Sequence, residues 1–262
     1  MPLAPDRGQT RPVSDTAPAD PALYGRSFAE VYDRWYLEEA EADRIATVLD
    51  AVAPLGDVLE LGAGTGSIAG RLTTPGTVVA LDASVEMLAR LSNRRPLVAL
   101  HADMAEVASV IAATPEVPTH FDLVFCSHNT LLNLTSRHAQ QQCLTGVAAV
   151  LDRGGMFVIE LVVPDSMDAL PRHSVTPSRV RSDGPVFIET RVDPDSGLLH
   201  GAHIEITDGA VIERPWTVLP IPPETLDAMA MHAGLDLESE WADWQQRPYD
   251  GGGVRIATFR RR

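Results

Sequence analysis

Hydrophobic and polar positions follow two different patterns along this chain. Short apolar runs fit buried β-strands, and longer segments repeat their apolar residues at helical spacing. The runs that predict strands are 58–61, 77–82, 96–104, 121–129 and 156–164, the third and fourth with polar ends. The helical patterns cover 37–53, 83–91, 137–151 and 223–233. Strands that alternate with helices predict βαβ units, so we expect an α/β fold with a mostly parallel sheet.

The pattern changes after Val175, where β segments follow one another without a helix. The segments are 186–192, 199–207 and 210–219, separated by turn residues at 193–197 and 208–209. Such turns are typical of hairpins. We therefore expect residues 175–222 to form an antiparallel β insertion that covers the crevice of the main sheet. Segments 234–237 and 254–259 then complete the main sheet.

The N-terminal region divides into a tail and an aromatic segment. Residues 1–22 are rich in proline and small polar residues and cannot bury enough apolar surface to offset ordering, so we expect disorder. Aromatic residues then recur at helical spacing, which predicts helices over 23–55, in a segment that resembles the N-terminal lid of a known enzyme family. A chain of 262 residues with 45% hydrophobic content suffices for one core, so 23–262 are expected to form one domain.

The most informative motif follows the first predicted strand. Gly62, Gly64 and Gly66 let the backbone turn sharply before a helix and approach a ligand with no Cβ in the way. A dinucleotide site prefers G-x-G-x-x-G, whereas here Ser67 follows the glycines and Glu60 precedes them. A carboxylate at this position would repel a pyrophosphate and attract an ammonium or sulfonium group. The loop therefore favours a zwitterionic, cationic ligand.

Acidic and polar residues also end the next strands. Asp82 lies 22 positions after Glu60, where a βαβ unit places a carboxylate that accepts from both ribose hydroxyls. Asp82 alone would also fit the N-cap of the next helix. Asp103 and Met104 end the third strand in a segment that resembles the adenine-binding segment of a known enzyme family, where the acid accepts from the adenine amino group and the methionine packs on the ring. The fourth strand ends in polar residues at the edge where an open sheet binds its ligand.

In this order and spacing, the motifs resemble those of class I S-adenosylmethionine-dependent methyltransferases. The resemblance implies a Rossmann-like sandwich with a seven-stranded, mostly parallel sheet and an antiparallel β insertion after the fifth strand. It also implies S-adenosyl-L-methionine as cofactor and S-adenosyl-L-homocysteine as product. The cofactor-binding positions that the resemblance implies are Tyr24, Tyr32, Glu60, Gly62, Ala63, Gly64, Gly66, Asp82, Ala83, Met87, Asp103, Met104 and Ser127.

Over residues 23–260, the order of elements is most similar to small-molecule methyltransferases of secondary metabolism, especially the aminosugar N,N-dimethyltransferases. In such enzymes, lid aromatics at the positions of Tyr24 and Tyr32 close over the methionine end of the cofactor. The chain departs from them at 162–164, where Val-Val-Pro replaces bulky aromatics. The resemblance implies N- or O-methylation of a small-molecule acceptor in natural-product biosynthesis, for example of an antibiotic.

Methyl transfer mainly requires in-line placement of the nucleophile, the methyl group and the sulfur, because the cofactor carries the difficult chemistry. If the acceptor must lose a proton, His128 at the end of the fourth strand is the imidazole best placed to take it. The candidate catalytic residues are His128, Glu160 and His203, with His200, Asn129 and Asn133 as alternatives.

Two other classes of function share part of this pattern. A nicotinamide-dependent oxidoreductase has the same βαβ unit but is disfavoured by Glu60 and Ser67. A non-catalytic S-adenosylmethionine-binding module would keep the glycine loop without using the methyl group.

The net charge and the residue composition restrict the classes of partner expected for this protein. A net charge of −15 argues against a nucleic-acid substrate, and no metal-ligand spacing is present, so we expect neither nucleic acid nor metal. No run approaches the roughly 18 apolar residues of a membrane span. The start lacks a signal-peptide pattern, and Cys126 and Cys143 have no paired spacing. We expect a cytoplasmic protein, which would form a homodimer if the exposed edges of the insertion pair.

Overall fold

A computed structural model describes residues 20–53, 56–92, 94–163, 170–207 and 209–262. The α-helices are α1 (Leu23–Phe28), α2 (Tyr32–Tyr36), α3 (Glu39–Val52), α4 (Val85–Leu88), α5 (Val107–Ala113), α6 (Arg137–Val150) and α7 (Pro223–Ala233). The strands are β1 (Val58–Leu61), β2 (Val78–Asp82), β3 (Val98–His101), β4 (Phe121–Cys126), β5 (Leu151–Val163), β6 (His173–Pro177), β7 (Val186–Val192), β8 (Leu199–Thr207), β9 (Ala210–Val218), β10 (Leu235–Trp241) and β11 (Gly253–Arg261). Short 3₁₀ helices lie at Ala69–Arg71, Met104–Glu106 and Thr130–Asn133. The predicted disordered tail lies outside the described residues up to position 19.

The main sheet has the strand order β10-β11-β5-β4-β1-β2-β3. Neighbouring strands from β5 to β3 are parallel, and β11 runs antiparallel to both of its neighbours. The chain builds β1, β2 and β3 outward and then places β4 on the other side of β1. This reversal creates a topological switch point between β1 and β4, where open α/β sheets bind ligands. The expected Rossmann-like α/β architecture is confirmed.

Side chains alternate between the two faces of this sheet, and each face is covered. Leu59 and Leu61 of β1 pack into a cluster with α5, α6 and α7, and Val58 packs into a second cluster with α3. Because both faces are buried, the central strands are nearly continuous apolar runs. Glu60 is the charged exception in β1 and is only 3% exposed.

The β insertion forms a separate antiparallel sheet with the order β6-β7-β8-β9. Its last three strands match the predicted segments, and a turn at the predicted break 193–197 joins the first two of them. The first strand, β6, was not predicted, because 173–177 includes a proline and lacks a clear apolar alternation. Its backbone pairs with β7 at the edge of the sheet.

The lid helices α1 and α2 pack mainly against this insertion. Phe28 and Trp35 share a buried cluster with Val186 of β7 and with Met87 of α4. The predicted helical segment is divided into α1 and α2 by turns, and α3 begins after Leu37 adopts an extended conformation. The lid is therefore held between the insertion and the cofactor side of the main sheet.

The structure corrects the helix that the sequence predicts directly after the glycine loop. Turns and a single 3₁₀ segment at Ala69–Arg71 occupy this region, and Leu72 is extended. Gly66 and Gly70 lower the helical propensity. In addition, the Glu60 carboxylate accepts the N–H of Ala69 at 3.2 Å. Hydrogen bonds to this carboxylate thus replace part of a regular helical ladder.

Two other boundaries differ from the prediction. The helix expected over 83–91 is limited to α4, whose N-cap Ser84 accepts the N–H of Met87 at 3.3 Å. The N–H of Ser92 bonds to the carbonyl of Thr65, which ties the chain back to the glycine loop. The strand predicted over 156–164 begins earlier, at Leu151, and β5 runs through Gly155 and through Gly154, whose φ is 77°.

Candidate active site

The glycine loop turns at the carboxyl end of β1. Gly62, Gly64 and Gly66 have φ values of 62°, 56° and 66°, a left-handed region that favours glycine. A Cβ on Gly62 would overlap Thr130, so the close approach of the two segments requires a glycine. A Cβ on Gly64 would have only Met87 Sδ and a Tyr32 ring carbon nearby, each at 3.9 Å. The backbone of Gly64 therefore lines open space beside these side chains.

Asp82 connects this loop to the end of β2. One carboxylate oxygen accepts the N–H of Gly64 at 2.8 Å, and the other accepts the N–H of Ser84 at 2.8 Å. Burial raises the pKa of the Asp82 carboxyl, and these two N–H groups oppose the rise. Each oxygen keeps further lone-pair capacity, so the carboxylate can still accept from two hydroxyl groups. Asp82 is not the N-cap of α4, because Ser84 has that role.

The end of β3 supplies the next wall. Asp103 caps the following 3₁₀ turn by accepting the N–H of Ala105 at 2.9 Å through one oxygen. Met104 is 8% exposed. These residues line a cavity of about 210 Å³ together with Ala83 and Met87.

The lid closes this cavity from above. Tyr24 and Tyr32 line it, with ring centroids 6.4 Å apart in an edge-to-face arrangement. Gly25 lies so close to Ser84 that a Cβ on Gly25 would overlap the serine side chain. The absence of a side chain at position 25 thus lets α1 approach the start of α4.

The end of β4 forms the junction with β5. His128 and Asn129 have φ values of 51° and 64°, which is uncommon for residues other than glycine. The Glu160 carboxylate accepts the backbone N–H of His128 at 2.8 Å, and the Glu160 carbonyl accepts the N–H of Asn129 at 3.2 Å. The Asn129 side-chain oxygen in turn accepts the N–H of Val162. Glu160 thereby stabilises the turn that carries the His128 imidazole.

A second cavity of about 310 Å³ lies beside the first. Tyr24, Tyr32, His128 and Asn129 line both cavities. The residues that line the second cavity are Tyr24, Tyr32, Tyr36, Leu37, Glu38, Glu41, Ala42, Ser67, His128, Asn129, Glu160 and Val162. The two cavities therefore meet below the lid, at the carboxyl edge of β4.

Most of the predicted site residues lie together in this region. Those that line the first cavity are Tyr24, Tyr32, Gly62, Gly64, Asp82, Ala83, Met87, Asp103, Met104 and His128. Glu160 lines the second cavity only. Ala63, Gly66 and Ser127 line neither of the two, although they neighbour residues that do.

Glu60 and His203 also lie outside both cavities. Burial raises the pKa of the Glu60 carboxyl well above its usual range, the N–H of Ala69 opposes this, and Asp82 adds to the rise. Glu60 thus lies beneath the loop, where its carboxylate holds the Ala69 backbone by a hydrogen bond. His203 is buried between the insertion and the lid, where its Nε2 lies 3.0 Å from the Tyr36 hydroxyl.

The sequence prediction did not include Tyr36, Glu38 or Glu41 in the site. Tyr36 continues the aromatic spacing of the lid from Tyr32, which was the available signal. The two glutamates resemble ordinary solvated positions of an acidic helix, and their place beside the second cavity results from the tertiary fold.

The first cavity fits an adenosine-containing sulfonium. Asp82 can accept from the ribose hydroxyls, and Asp103 has one carboxylate oxygen free of the capping bond. Met87 and Met104 supply polarisable surface for an aromatic base. The open backbone at Gly64 leaves room for the chain of the ligand. These features agree with S-adenosylmethionine as the group that the site holds.

Three further observations concern the described part of the chain. None of its helices is long and apolar enough to cross a membrane. Within the same ranges, no group of three His, Cys, Asp or Glu side chains is arranged to hold a metal ion. Cys126 and Cys143 are free, buried thiols.

Comparison with known proteins agrees with this geometry. Residues 58–155 match the family model described as a methyltransferase domain. Together with the fold and the site, this match supports S-adenosylmethionine-dependent methyl transfer by an enzyme of the class I type. It favours this function over the nicotinamide-dependent and the non-catalytic alternatives.

Solved structures extend the similarity to almost the whole chain. The CcbJ methyltransferase from Streptomyces caelestis is 25% identical, with a TM-score of 0.78 over 91% of this chain and 98% of that one. CalS10 from Micromonospora echinaspora, an amino pentose methyltransferase of calicheamicin biosynthesis, is 21% identical, with a TM-score of 0.62 over 84% and 90% of the chains. The sugar N-methyltransferase KedS8 from Streptoalloteichus is 17% identical, with a TM-score of 0.62 over both full chains. A search of curated proteins gives no match.

Proposed function

We propose that the enzyme transfers the methyl group to an amino group of a small, cationic natural product that binds in the second cavity. The observation that supports this proposal is the lining of that cavity, which combines Glu38, Glu41 and Glu160 with three tyrosines. None of the described residues that line it is Lys or Arg. Carboxylates attract an ammonium group, and aromatic rings bind cations through their faces.

The three carboxylates differ in whether they already have a partner. Glu160 is already held by the backbone N–H of His128, and Glu38 pairs with Arg181. The Glu41 carboxylate has no hydrogen-bond or ion-pair partner among the described residues, and the residue is exposed at the cavity. Glu41 is therefore the carboxylate most available to an incoming cation.

The tyrosines remain neutral and aromatic over the physiological pH range. Burial raises the pKa of Tyr36 to about 12, and burial also raises the pKa of Tyr24 and Tyr32. Their rings surround the junction of the two cavities, so a bound amine would contact uncharged aromatic surface while Glu41 supplies the countercharge.

The bound cofactor supplies a methyl group activated by its sulfonium. Tyr24 and Tyr32 line both cavities and would hold the acceptor nitrogen beside this group, since methyl transfer needs the two in line. An ammonium must lose a proton before its nitrogen can attack. His128 lines both cavities and is the group we assign to take that proton at its imidazole.

The neighbours in structure support the general class of acceptor. CalS10 and KedS8 act, by their descriptions, on an amino pentose and on a sugar nitrogen, and they share this fold. Because their identities are low, the assignment of nitrogen rests on the cavity itself.

The test is a panel of amines, each paired with the hydroxyl compound of the same carbon skeleton, including 3-amino sugars and amino-acid esters. The purified protein is incubated with S-adenosylmethionine and each compound, and products are identified by mass spectrometry. We expect methylation of amines and not of their hydroxyl counterparts. Methylation of the hydroxyl compounds alone would contradict the assignment to nitrogen.

A substitution of Glu41 tests directly whether the carboxylate binds the amine. Glu41→Gln removes the unpaired carboxylate while keeping its shape, so the KM for the amine should rise about threefold to fivefold, as for a solvent-exposed charge contact. The affinity for S-adenosylmethionine should not change. Glu116→Gln, an exposed glutamate in the loop after α5, is the matched control and should leave both values unchanged.

A further inference from the structure

The inner face of β8 and β9 carries a row of buried polar residues. His203, Glu205 and Arg214 are between 6% and 8% exposed, and His203 and Arg214 are cross-strand partners. This face lies against the lid helices. Polar residues at such positions must find partners, because an unpaired polar group is costly to bury.

Arg214 joins the insertion to both lid helices. Its guanidinium donates to the carbonyl of Ser27 at 2.8 Å and to the Glu205 carboxylate at 3.2 Å. The guanidinium carbon also lies 5.4 Å from the ring centre of Trp35. The position of α1 and α2 therefore depends on the insertion.

His203 contacts the lid by both packing and hydrogen bonding. Its ring packs edge-to-face on Phe28, with centroids 5.1 Å apart, and lies 5.9 Å from Trp35. Its Nε2 lies 3.0 Å from the hydroxyl of Tyr36, and its Nδ1 has no partner within the described residues. Burial lowers the pKa of His203 to about 4, with Arg214 adding to the effect, so the imidazole is neutral near pH 7.

Tyr36 is the point where this contact reaches the active site. It is the last residue of α2, and Leu37 after it leaves the helix in an extended conformation. Tyr36 lines the second cavity, whereas His203 does not. The hydroxyl of Tyr36 is thus the only polar connection, among the described residues, from His203 to the cavity wall.

We propose that His203 is a positioning residue for acceptor recognition: its hydrogen bond to the Tyr36 hydroxyl fixes the Tyr36 ring as a wall of the second cavity. This inference rests on the proposed function for the identity of that cavity. His203 does not touch the acceptor, and its effect on the reaction passes through Tyr36. The β insertion accordingly sets part of the acceptor specificity through a residue outside both cavities.

The first experiment is a double-mutant cycle with Tyr36→Phe and His203→Phe, measured on an amine that the wild-type enzyme methylates. Each single variant should raise the KM for the amine roughly tenfold and change kcat little, because one buried hydrogen bond is lost. The double variant should show about the same tenfold effect. Independent effects that multiply to about 100-fold would overturn the proposal.

Rescue distinguishes positioning from general packing. His203→Gln keeps a hydrogen-bonding atom near the position of Nε2 and should restore a KM close to that of the wild type. His200, the other histidine predicted on the cover, is exposed on the same strand and lines neither cavity, so His200→Gln is the matched control and should have no effect. Calorimetric binding of S-adenosylmethionine should be equal in all variants. A His203→Phe variant that loses cofactor affinity to the same extent would instead indicate a purely structural role.

A measurement without acceptor separates this inference from the proposed function. The chain has four tyrosines, so ¹⁹F NMR of protein labelled with 3-fluorotyrosine gives few resonances, and Tyr36→Phe identifies the one from Tyr36. We expect His203→Phe to shift or broaden that resonance and His203→Gln to leave it near its wild-type position. An unchanged Tyr36 resonance in His203→Phe would overturn the proposal, whatever the amine panel shows.

Discussion

The two halves of the active site are built in different ways. The cofactor half takes its polar groups from the ends of β1, β2 and β3, and the lid and the segment after β4 complete its walls. The half that we assign to the acceptor combines side chains from the lid, from the ends of β4 and β5 and, indirectly, from the insertion. The polar groups of the first half are therefore encoded by local motifs, whereas the second half depends on contacts between segments far apart in the chain.

The largest effect is expected from removal of the Asp82 carboxylate, on which the cofactor half depends. Asp82→Ala deletes the acceptor of the Gly64 and Ser84 N–H groups and the expected ribose contact. Hydrogen bonds to a charged group are worth about 1.5–3 kcal/mol each. The Kd for S-adenosylmethionine, measured by calorimetry, should therefore rise by more than about 100-fold.

Asp122 provides the matched control for that variant. It also accepts a backbone N–H, that of Asp57 at 3.0 Å, but it lies at the amino-terminal end of β4, away from the cofactor side of the sheet. Asp122→Ala should change the cofactor Kd by less than about twofold. Equal losses in both variants would show that Asp82 acts only through the stability of the fold.

The two halves also contain buried titratable groups with opposite effects on stability. His203 has its pKa lowered to about 4 in the folded state from an ordinary 6.5. Below pH 6.5 the unfolded chain binds a proton that the folded protein does not, so the free energy of unfolding falls as the pH drops from 6.5 to 4. The loss over that window is on the order of 3 kcal/mol.

Urea unfolding at several pH values between 4 and 7.5 measures this effect. His203→Gln should remove that part of the pH dependence, and His200→Gln should keep it. Glu60 on the cofactor side has a raised pKa, so its contribution has the opposite sign and is lost as the pH rises above its unfolded value of about 4.5. A His203→Gln protein with an unchanged pH dependence would contradict the assignment of the acidic loss to this residue.

A smaller effect is expected at the glycine loop, where Gly64→Ala tests direct contact with the cofactor. Gly64→Ala adds a methyl group beside Met87 and Tyr32 at a residue with positive φ, so the cofactor Kd should rise about tenfold. Gly234→Ala has a similar φ of 89° with no atom near its Cβ. Both variants should lose about 1–2 kcal/mol of stability from backbone strain. Calorimetry should show weaker cofactor binding for Gly64→Ala alone, and equal binding by both variants would contradict a direct contact.

Much of the fold followed from the sequence because its strands are local and strongly patterned. β2, β4, the last three strands of the insertion and α7 lie where apolar runs and turn residues predict them. The helix after the glycine loop and the length of α4 did not follow, since they depend on hydrogen bonds to Glu60 and between Ser92 and Thr65. Those bonds exist only once the sheet has formed.

The site divides in the same way. The positions of Asp82, Asp103, Gly62 and Gly64 beside the first cavity were predictable because a βαβ unit fixes where a strand ends at the ligand-binding side of the sheet. Glu41 and Tyr36 were not, because helical spacing does not tell which face of a lid helix borders a cavity. His203 was predicted as a catalytic candidate on the cover, and its location identifies Tyr36 as the group through which it would act.

The contact of Arg214 with Ser27 also has an evolutionary consequence. It joins residues 23–36 to residues 173–218, although more than a hundred positions separate them in the chain. New acceptor preferences would arise by matched changes in both segments. An insertion transferred alone from a related enzyme would lack the residues that contact this lid. The cofactor motifs, in contrast, form a contiguous block that can be inherited unchanged while the rest diversifies.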